Sequence, residues 1–479
     1  MKAFRLKSIK NWGIVCACIF VVLFASFSAY YLWDLLKIGT AYKAKILCSG
    51  IFVSKRPADA VLSKDLMTSD LVALKWIDTH VDYTSQSVCA DFFGLAKAKA
   101  IYRPGLGCTL VIGTDEEGLR SHVLPIPIDQ RVKKKDLLWP EGERVNPEGV
   151  LSKKALKKLH KIVEMAFMEP DTGPVRRTRA IVIVYRGRIV AERYAPGFHK
   201  DTPMPGWSLT GAMTNALAGI LVRQGRLSTD QCNLLARWRR TGDLRSKITV
   251  DNLMRMSSGL RFNEDYSDPQ NDLSQMLFRT GDAAAYAAGK RLEYRPGTVW
   301  HFSGGSLVIL SRVFKDAVNG TEDDYLTFPR RELFRPVGMS TAIIEPDAAG
   351  TFLTSSFGYA SARDWARLGL LFMRDGVWNG RRILPKGWVK YSTTPVAGFS
   401  HVKYGACFWL SIPGLYTTPL SSGLSLPDDS FYAVGQDGQF IAIIPSKKLV
   451  IVRLGLTRKS YVWDQKLFTA SIIDAISSD

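Results

Sequence analysis

Ser208 is the residue whose type and setting first suggest covalent chemistry in this chain. It stands in Pro205-Gly206-Trp207-Ser208-Leu209-Thr210-Gly211, where Pro and Gly break the preceding chain. Leu209, Met213, Ala216, Leu217, Ile220 and Leu221 then recur at helical spacing until Gly225 can end the run. A serine at a helix start has its amide and hydroxyl directed outward, and the positive end of the dipole favours negative charge developing there. A neutral serine hydroxyl is a weak nucleophile without an adjacent base. Two readings are therefore open: a cap of a buried helix, and a reactive serine at a point where negative charge is favoured.

The elements that must position Ser208 are strands at both ends of the chain and helices between. Ala180-Ile181-Val182-Ile183-Val184-Tyr185 and Ile189-Val190-Ala191-Glu192 flank a tight turn read as centred on Gly187 and Arg188. Phe440-Ile441-Ala442-Ile443-Ile444-Pro445 turns at Ser446-Lys447-Lys448 and returns as Leu449-Val450-Ile451-Val452. Apolar residues on both faces predict strands buried between helical layers. Residues 251–256, stopped by Ser257-Ser258-Gly259, and 362–373, stopped by Asp375-Gly376, read as helices. This order predicts an α/β domain: one antiparallel sheet closed by the two chain ends, flanked by helices, with a helical insertion. Residues 151–167 form an amphipathic helix whose Lys153, Lys154, Lys157, Lys158 and Lys161 read as a solvated face, with contact to a membrane surface as the alternative.

At 479 residues, 46% hydrophobic and 23% charged, the chain is globular, and disorder, collagen and a disulfide-stapled scaffold are excluded for the whole. The net charge of +20 raises nucleic acid or an anionic membrane as partners. The basic residues are scattered, and no RNA-binding signature or metal-ligand spacing accompanies them, so no nucleic acid, metal or cofactor is expected. Lys2, Arg5, Lys7 and Lys10 precede residues 12–33, about 22 residues without a charge, enough to cross a hydrocarbon core of about 30 Å. The nearest signal-cleavage candidate, around Ala25, Ser26 and Ser28, is poor, so an uncleaved anchor is expected. Lys37, Lys43 and Lys45 nearly balance the charges before the span. The body is still placed on the extracytoplasmic, periplasmic side, because large following domains translocate largely regardless of flanking charge. The expected organisation is a tail over 1–11, the anchor over 12–33, a lead-in segment over 34–150 and the main domain over 151–479. Of seven cysteines, Cys16 and Cys18 lie in the span; among Cys48, Cys89, Cys108, Cys232 and Cys407, the preferred pair is Cys48 with Cys108.

From about Leu151 onward, several stretches in order resemble one family. They are Gly206-Trp207-Ser208-Leu209-Thr210, Asn215-Ala216-Leu217-Ala218-Gly219-Ile220-Leu221-Val222, Leu253-Met254-Arg255-Met256-Ser257-Ser258-Gly259-Leu260, Tyr294-Arg295-Pro296-Gly297, Ala362-Arg363-Asp364-Trp365-Ala366-Arg367-Leu368-Gly369-Leu370, Asp375-Gly376-Val377-Trp378-Asn379-Gly380 and Gly435-Gln436-Asp437-Gly438-Gln439. The family is the serine β-lactamase, penicillin-binding-protein and esterase superfamily, in its class C-like group that includes 6-aminohexanoate-dimer hydrolases. The resemblance implies a β-lactamase/transpeptidase-like fold and an S-x-x-K acyl-transfer site. A lysine three residues after the serine would take its proton, and a tyrosine from a second motif would relay protons to the leaving group. A lysine or histidine in a third motif would hold the tyrosine and the substrate carboxylate. The backbone amides of Ser208 and Gln439 would form the oxyanion hole.

The chain departs from that pattern at each ionisable position. The lysine slot is Gly211, the tyrosine slot is Phe302, and the third-motif slot is Gln436. Each change removes proton chemistry, while Phe302 and Gln436 nearly preserve shape. His301 is the nearest candidate for a substitute base, but as a strand neighbour of Phe302 it would point to the opposite face; Lys403 is a weaker one. The expectation is a membrane-anchored β-lactamase-fold protein with impaired catalysis, which keeps its pocket for a small amide, ester or cell-wall-derived ligand. The alternative is an active serine hydrolase or esterase that uses Ser208 with a rearranged proton relay.

Overall fold

The computed structural model describes residues 2–67, 69–121, 124, 136–396, 398–399 and 402–477. Its centre is a five-stranded antiparallel sheet in the order Phe431–Gly435, Gln439–Ile444, Leu449–Gly455, Thr178–Tyr185, Arg188–Tyr194. The two chain ends meet where Val452 pairs with Val182 and Ile451 with Ile183. The β-branched runs have period-two side chains that are buried on both faces, so each face needs its own cover. Helix Ala362–Met373 packs on one side, and helices Lys153–Phe167 and Gln465–Ser477 cover the other. Gly369 allows the first approach, since a Cβ there would lie 2.6 Å from Val450 Cγ1. Leu159 and Val163 of the amphipathic helix are buried against Ile181, Ile183 and Phe440, while its lysine side faces out.

The first hairpin turns one residue earlier than the sequence reading placed it. Arg186 and Gly187 are the central pair, with φ of 50° and 78°, and Arg188 already pairs with Tyr185. Two left-handed residues are what a two-residue turn with the strands' own twist requires, so the glycine takes the second central position rather than the first.

Helix Lys2–Cys48 is continuous and does not break at residue 33. Phe20, Leu23, Phe24 and Phe27 are exposed, whereas from Ile38 onward the helix is buried at Ala41, Ala44 and Leu47. It docks on the four-stranded antiparallel sheet formed by Asp78–Asp82, Ser87–Phe92, Leu95–Arg103 and Gly107–Leu110. One apolar core joins Ala44 and Leu47 of this helix, Val88 and Ala100 of the small sheet, and Leu209 and Met213 of the main domain. Cys48 and Cys108 form a disulfide with Cα atoms 6.2 Å apart. Beside it Lys45 Nζ contacts Glu345, donates to Cys108 O at 2.6 Å, and shares Glu345 with Ser49 Oγ at 2.8 Å and the Cys108 amide at 2.6 Å. Burial pushes the Lys45 ammonium down and the Glu345 carboxyl up, and the mutual contact opposes both shifts.

Candidate active site

Ser208 sits in a tight turn, Trp207–Leu209, that leads into helix Thr210–Arg223. Strand Met204–Pro205, paired with Gly358–Ala360, fixes the entry to that turn. The Gly206 amide donates to Gly358 O at 2.7 Å, and the Gly358 amide donates to Thr210 Oγ1 at 3.0 Å. The helix is held from beneath by Asn215, whose amide donates to Ala406 O at 2.8 Å and accepts from Trp388 Nε1 at 2.8 Å. The edge strand Phe431–Gly435 passes so close that a Cβ on Gly435 would lie 2.1 Å from Gly206 O. Only glycine permits this approach, and it brings Gln436 to the serine.

Ser208, Phe302 and Gln436 line one cleft of about 640 Å³, together with Glu264, Tyr266, Trp300, His301, Trp409, Leu415, Tyr416, Asp437 and Arg458. That volume suits a small-molecule ligand. The aromatic wall is a packed set: Phe302 stacks on Trp409 at 6.1 Å between centroids, and Trp300 meets Tyr404 edge-on at 5.6 Å. Among the left-handed non-glycine residues, Asp437 (φ 60°) lines the cleft and Trp207 (φ 49°) immediately precedes Ser208. Such conformations cost about 1–3 kcal/mol each.

Gly211 lies below the cleft, one helical turn from Ser208. A Cβ there would meet Leu307 Cδ1 at 3.5 Å and Cys407 Cβ at 3.8 Å, both ordinary contacts. Burial pushes the Cys407 thiol well above its usual value, so this neighbour stays a neutral thiol and supplies no base. Gln439 departs from its expected role. Its N–H donates to Gln436 O, because residues 436–438 curl into a hairpin turn in which Gly435 pairs with Gln439, and its side chain bonds Gly455 at 2.7 Å and 3.0 Å. Its amide is thus engaged in the turn, and Gln439 is not among the described residues lining the cleft. His301 does line the cleft, against the expectation from strand alternation, because residues 299–303 form a loop rather than a strand. Its Nε2 is 2.7 Å from Phe262 O, which makes that nitrogen the donor. Lys403 lines a different cavity.

Two residues missed by the sequence reading complete the site. Tyr266 lines the cleft with Ser208, its phenol close enough to interact with the serine side chain; the residue is 55% exposed at the rim while its hydroxyl end is enclosed. Burial of that end, with Glu264 and Tyr416 adding to it, pushes the phenol far above its usual value. Glu264 accepts from the Gly304 amide at the start of helix Gly304–Val318, and burial pushes its carboxyl up to about 7, with Asp272 adding and the amide opposing. Both residues stand in Asn263-Glu264-Asp265-Tyr266, a polar loop without periodicity, and the sole signal was a tyrosine and a carboxylate two residues apart.

The chain belongs to the β-lactamase family, whose profile matches residues 168–462. A 6-aminohexanoate-dimer hydrolase of Paenarthrobacter ureafaciens is 24% identical over 234 residues, which cover 44% of this chain and 56% of that protein. An uncharacterized protein of Alkalihalophilus pseudofirmus is 24% identical over 297 residues, covering 57% and 82%. Among solved structures, a penicillin-binding protein homolog from Caulobacter crescentus superposes with a TM-score of 0.51 at 17% identity, covering 68% of this chain and 98% of that one. The fold is therefore the β-lactamase/transpeptidase-like one.

Proposed function

We propose that this chain is a membrane-anchored member of the serine hydrolase superfamily that binds an amide, ester or cell-wall-derived ligand in the Ser208 cleft with little or no turnover. Helix Lys2–Cys48 serves as an uncleaved anchor, and the body lies on the extracytoplasmic side. The observation that carries the reading is the position one turn below Ser208. There Gly211 offers no amine, and its surroundings are the apolar Leu307 and the neutral thiol of Cys407. Phe302 supplies a ring without a hydroxyl and Gln436 an amide without a titratable proton. Removing a partner that activates a nucleophile costs about 10⁴ to 10⁶ in rate, roughly 5 to 8 kcal/mol, and losses within one unit do not simply add.

A second reading, residual hydrolysis, has its own observation. Tyr266 lines the cleft beside Ser208, and burial pushes the carboxyl of Glu264 in the same wall up to about 7, the range a general base needs. A water-bridged path from Ser208 through Tyr266 to Glu264 would move the proton that a lysine takes elsewhere. Labelling with a fluorophosphonate and with a fluorescent penicillin separates the readings. Absence of label on Ser208 is expected, and stoichiometric label lost in Ser208→Ala would establish the second reading instead.

A further inference from the structure

The cleft and the apolar helix are joined by one short segment. Where the helix passes from exposed to buried, Tyr30, Tyr31 and Trp33 are still exposed and Asp34 is the first charge after the apolar run. Exposed Tyr and Trp followed by a charge mark the water interface of a span. At that level Gln270 Nε2 donates to Tyr31 O at 2.8 Å, Arg279 Nε donates to Asp34 Oδ1 at 2.9 Å, and Gln275 Nε2 donates to Asp34 Oδ2. Six and four residues before Gln270, the same segment supplies Glu264 and Tyr266 to the cleft wall. Four residues reach at most about 14 Å when extended. The Tyr266 backbone therefore lies within that distance of Gln270, whose side chain reaches Tyr31 O, a span comparable with a headgroup layer about 6 Å deep plus a short acyl segment.

The lining selects the chemistry of what could enter from there. Trp300, Phe302, Trp409, Leu415, Tyr416 and Val434 give an apolar channel, and Leu415 is exposed at its mouth. Among the described cleft residues Arg458 is the one ammonium or guanidinium group. It is committed to Asp437, 3.3 Å away, and to Asp65 O at 3.1 Å. Glu264 and Asp265 stand on the wall and Gln436 is neutral, so an anionic ligand would meet carboxylates and no available cation. The Trp300 indole N–H has no hydrogen-bond partner among the described residues and can be satisfied by a carbonyl.

We propose that the cleft takes an uncharged single-chain acyl ester or amide delivered from the bilayer that holds the helix, with its chain along the aromatic wall and its carbonyl near Ser208. The proposal rests on the anchored, binding reading above and names the ligand class for the same site.

The test uses the full chain in phosphatidylcholine vesicles containing a monoacylglycerol with a photoreactive chain, followed by peptide mapping. Label is expected on peptides bearing Trp300 or Trp409, at least tenfold more than from the free fatty acid of the same chain. It should fall at least fivefold in Leu415→Arg, a surface change that spares the core, and in Trp409→Ala. Flotation with the vesicles reports anchoring alone, and release of free fatty acid reports turnover alone, so failure of either reading is seen separately from cleft labelling. Label confined to residues 1–48, preference for the anionic acid, or cleft label unchanged in both variants overturns the proposal.

Discussion

Replacing Glu264 by Gln should change how stability depends on pH. The carboxyl is pushed from its ordinary 4.5 up to about 7, first by burial. Between those values the folded state holds a proton that the unfolded chain has released, so stability is fully present below about 4.5 and is lost as pH rises through about 7. The gap corresponds to about 3 kcal/mol at 1.36 kcal/mol per pH unit. Because the carboxyl is partly open to the cleft, about 2 kcal/mol is the expected readout. Gln keeps the oxygen that accepts from the Gly304 amide and carries no charge at any pH. Asp347, also pushed up to about 7 by burial, titrates in both proteins and cancels in the comparison. Urea unfolding of the detergent-solubilised chain at pH 5 and pH 8 should show Glu264→Gln gaining about 2 kcal/mol on the parent at the higher pH. Parallel pH profiles, or a parent that gains on the variant as pH rises, would refute the burial argument.

The buried pair joining the helix to the main domain gives a second expectation. Glu345→Ala leaves Lys45 charged and enclosed and should cost about 3–5 kcal/mol in a denaturant titration, whereas Lys45→Met with Glu345→Leu should recover much of that. Opening the disulfide with Cys48→Ser and Cys108→Ser frees a loop of 60 residues, worth about 4 kcal/mol in the chain-entropy account, and should lower the unfolding midpoint accordingly. The intact chain should require detergent for extraction. Deletion of residues 1–33 should release a folded soluble body, since burial of the helix begins only at Ile38; recovery of the uncleaved full chain without detergent would remove the anchor.

The sheet was legible because its strands carry β-branched residues on both faces, and helix Ala362–Met373 because its helical pattern is stopped at Asp375-Gly376; the structure adds its cap, Ser361. The placement of Phe302 and Gln436 beside Ser208 came from motif order, which fixes which strand and which loop flank a nucleophile in this fold. Three features escaped. The turn at Arg186 and Gly187 depended on which residues take positive φ, a choice that the flanking pattern leaves open by one position. The engagement of Gln439 N–H with Gln436 O was not legible, because it depends on residues 436–438 curling into a turn just ahead of the strand that Gln439 opens. Glu264 and Tyr266 were invisible because their loop has no periodicity; the carboxyl's environment is made by Gly304, 40 positions later in the chain.

The measurement that bears most directly on the central claim is the turnover of an activated ester such as 4-nitrophenyl butyrate by four proteins side by side. These are the parent, Ser208→Ala, Gly211→Lys, and the triple variant Gly211→Lys with Phe302→Tyr and Gln436→His. The space at Gly211 accepts a Cβ, and replacing a helical glycine favours the helix by up to about 1 kcal/mol, so the variants should fold. The account predicts that the parent and Gly211→Lys match Ser208→Ala, and that the triple variant alone turns the ester over. A parent that hydrolyses the ester in a Ser208-dependent way, beside an inert but folded triple variant, would contradict it.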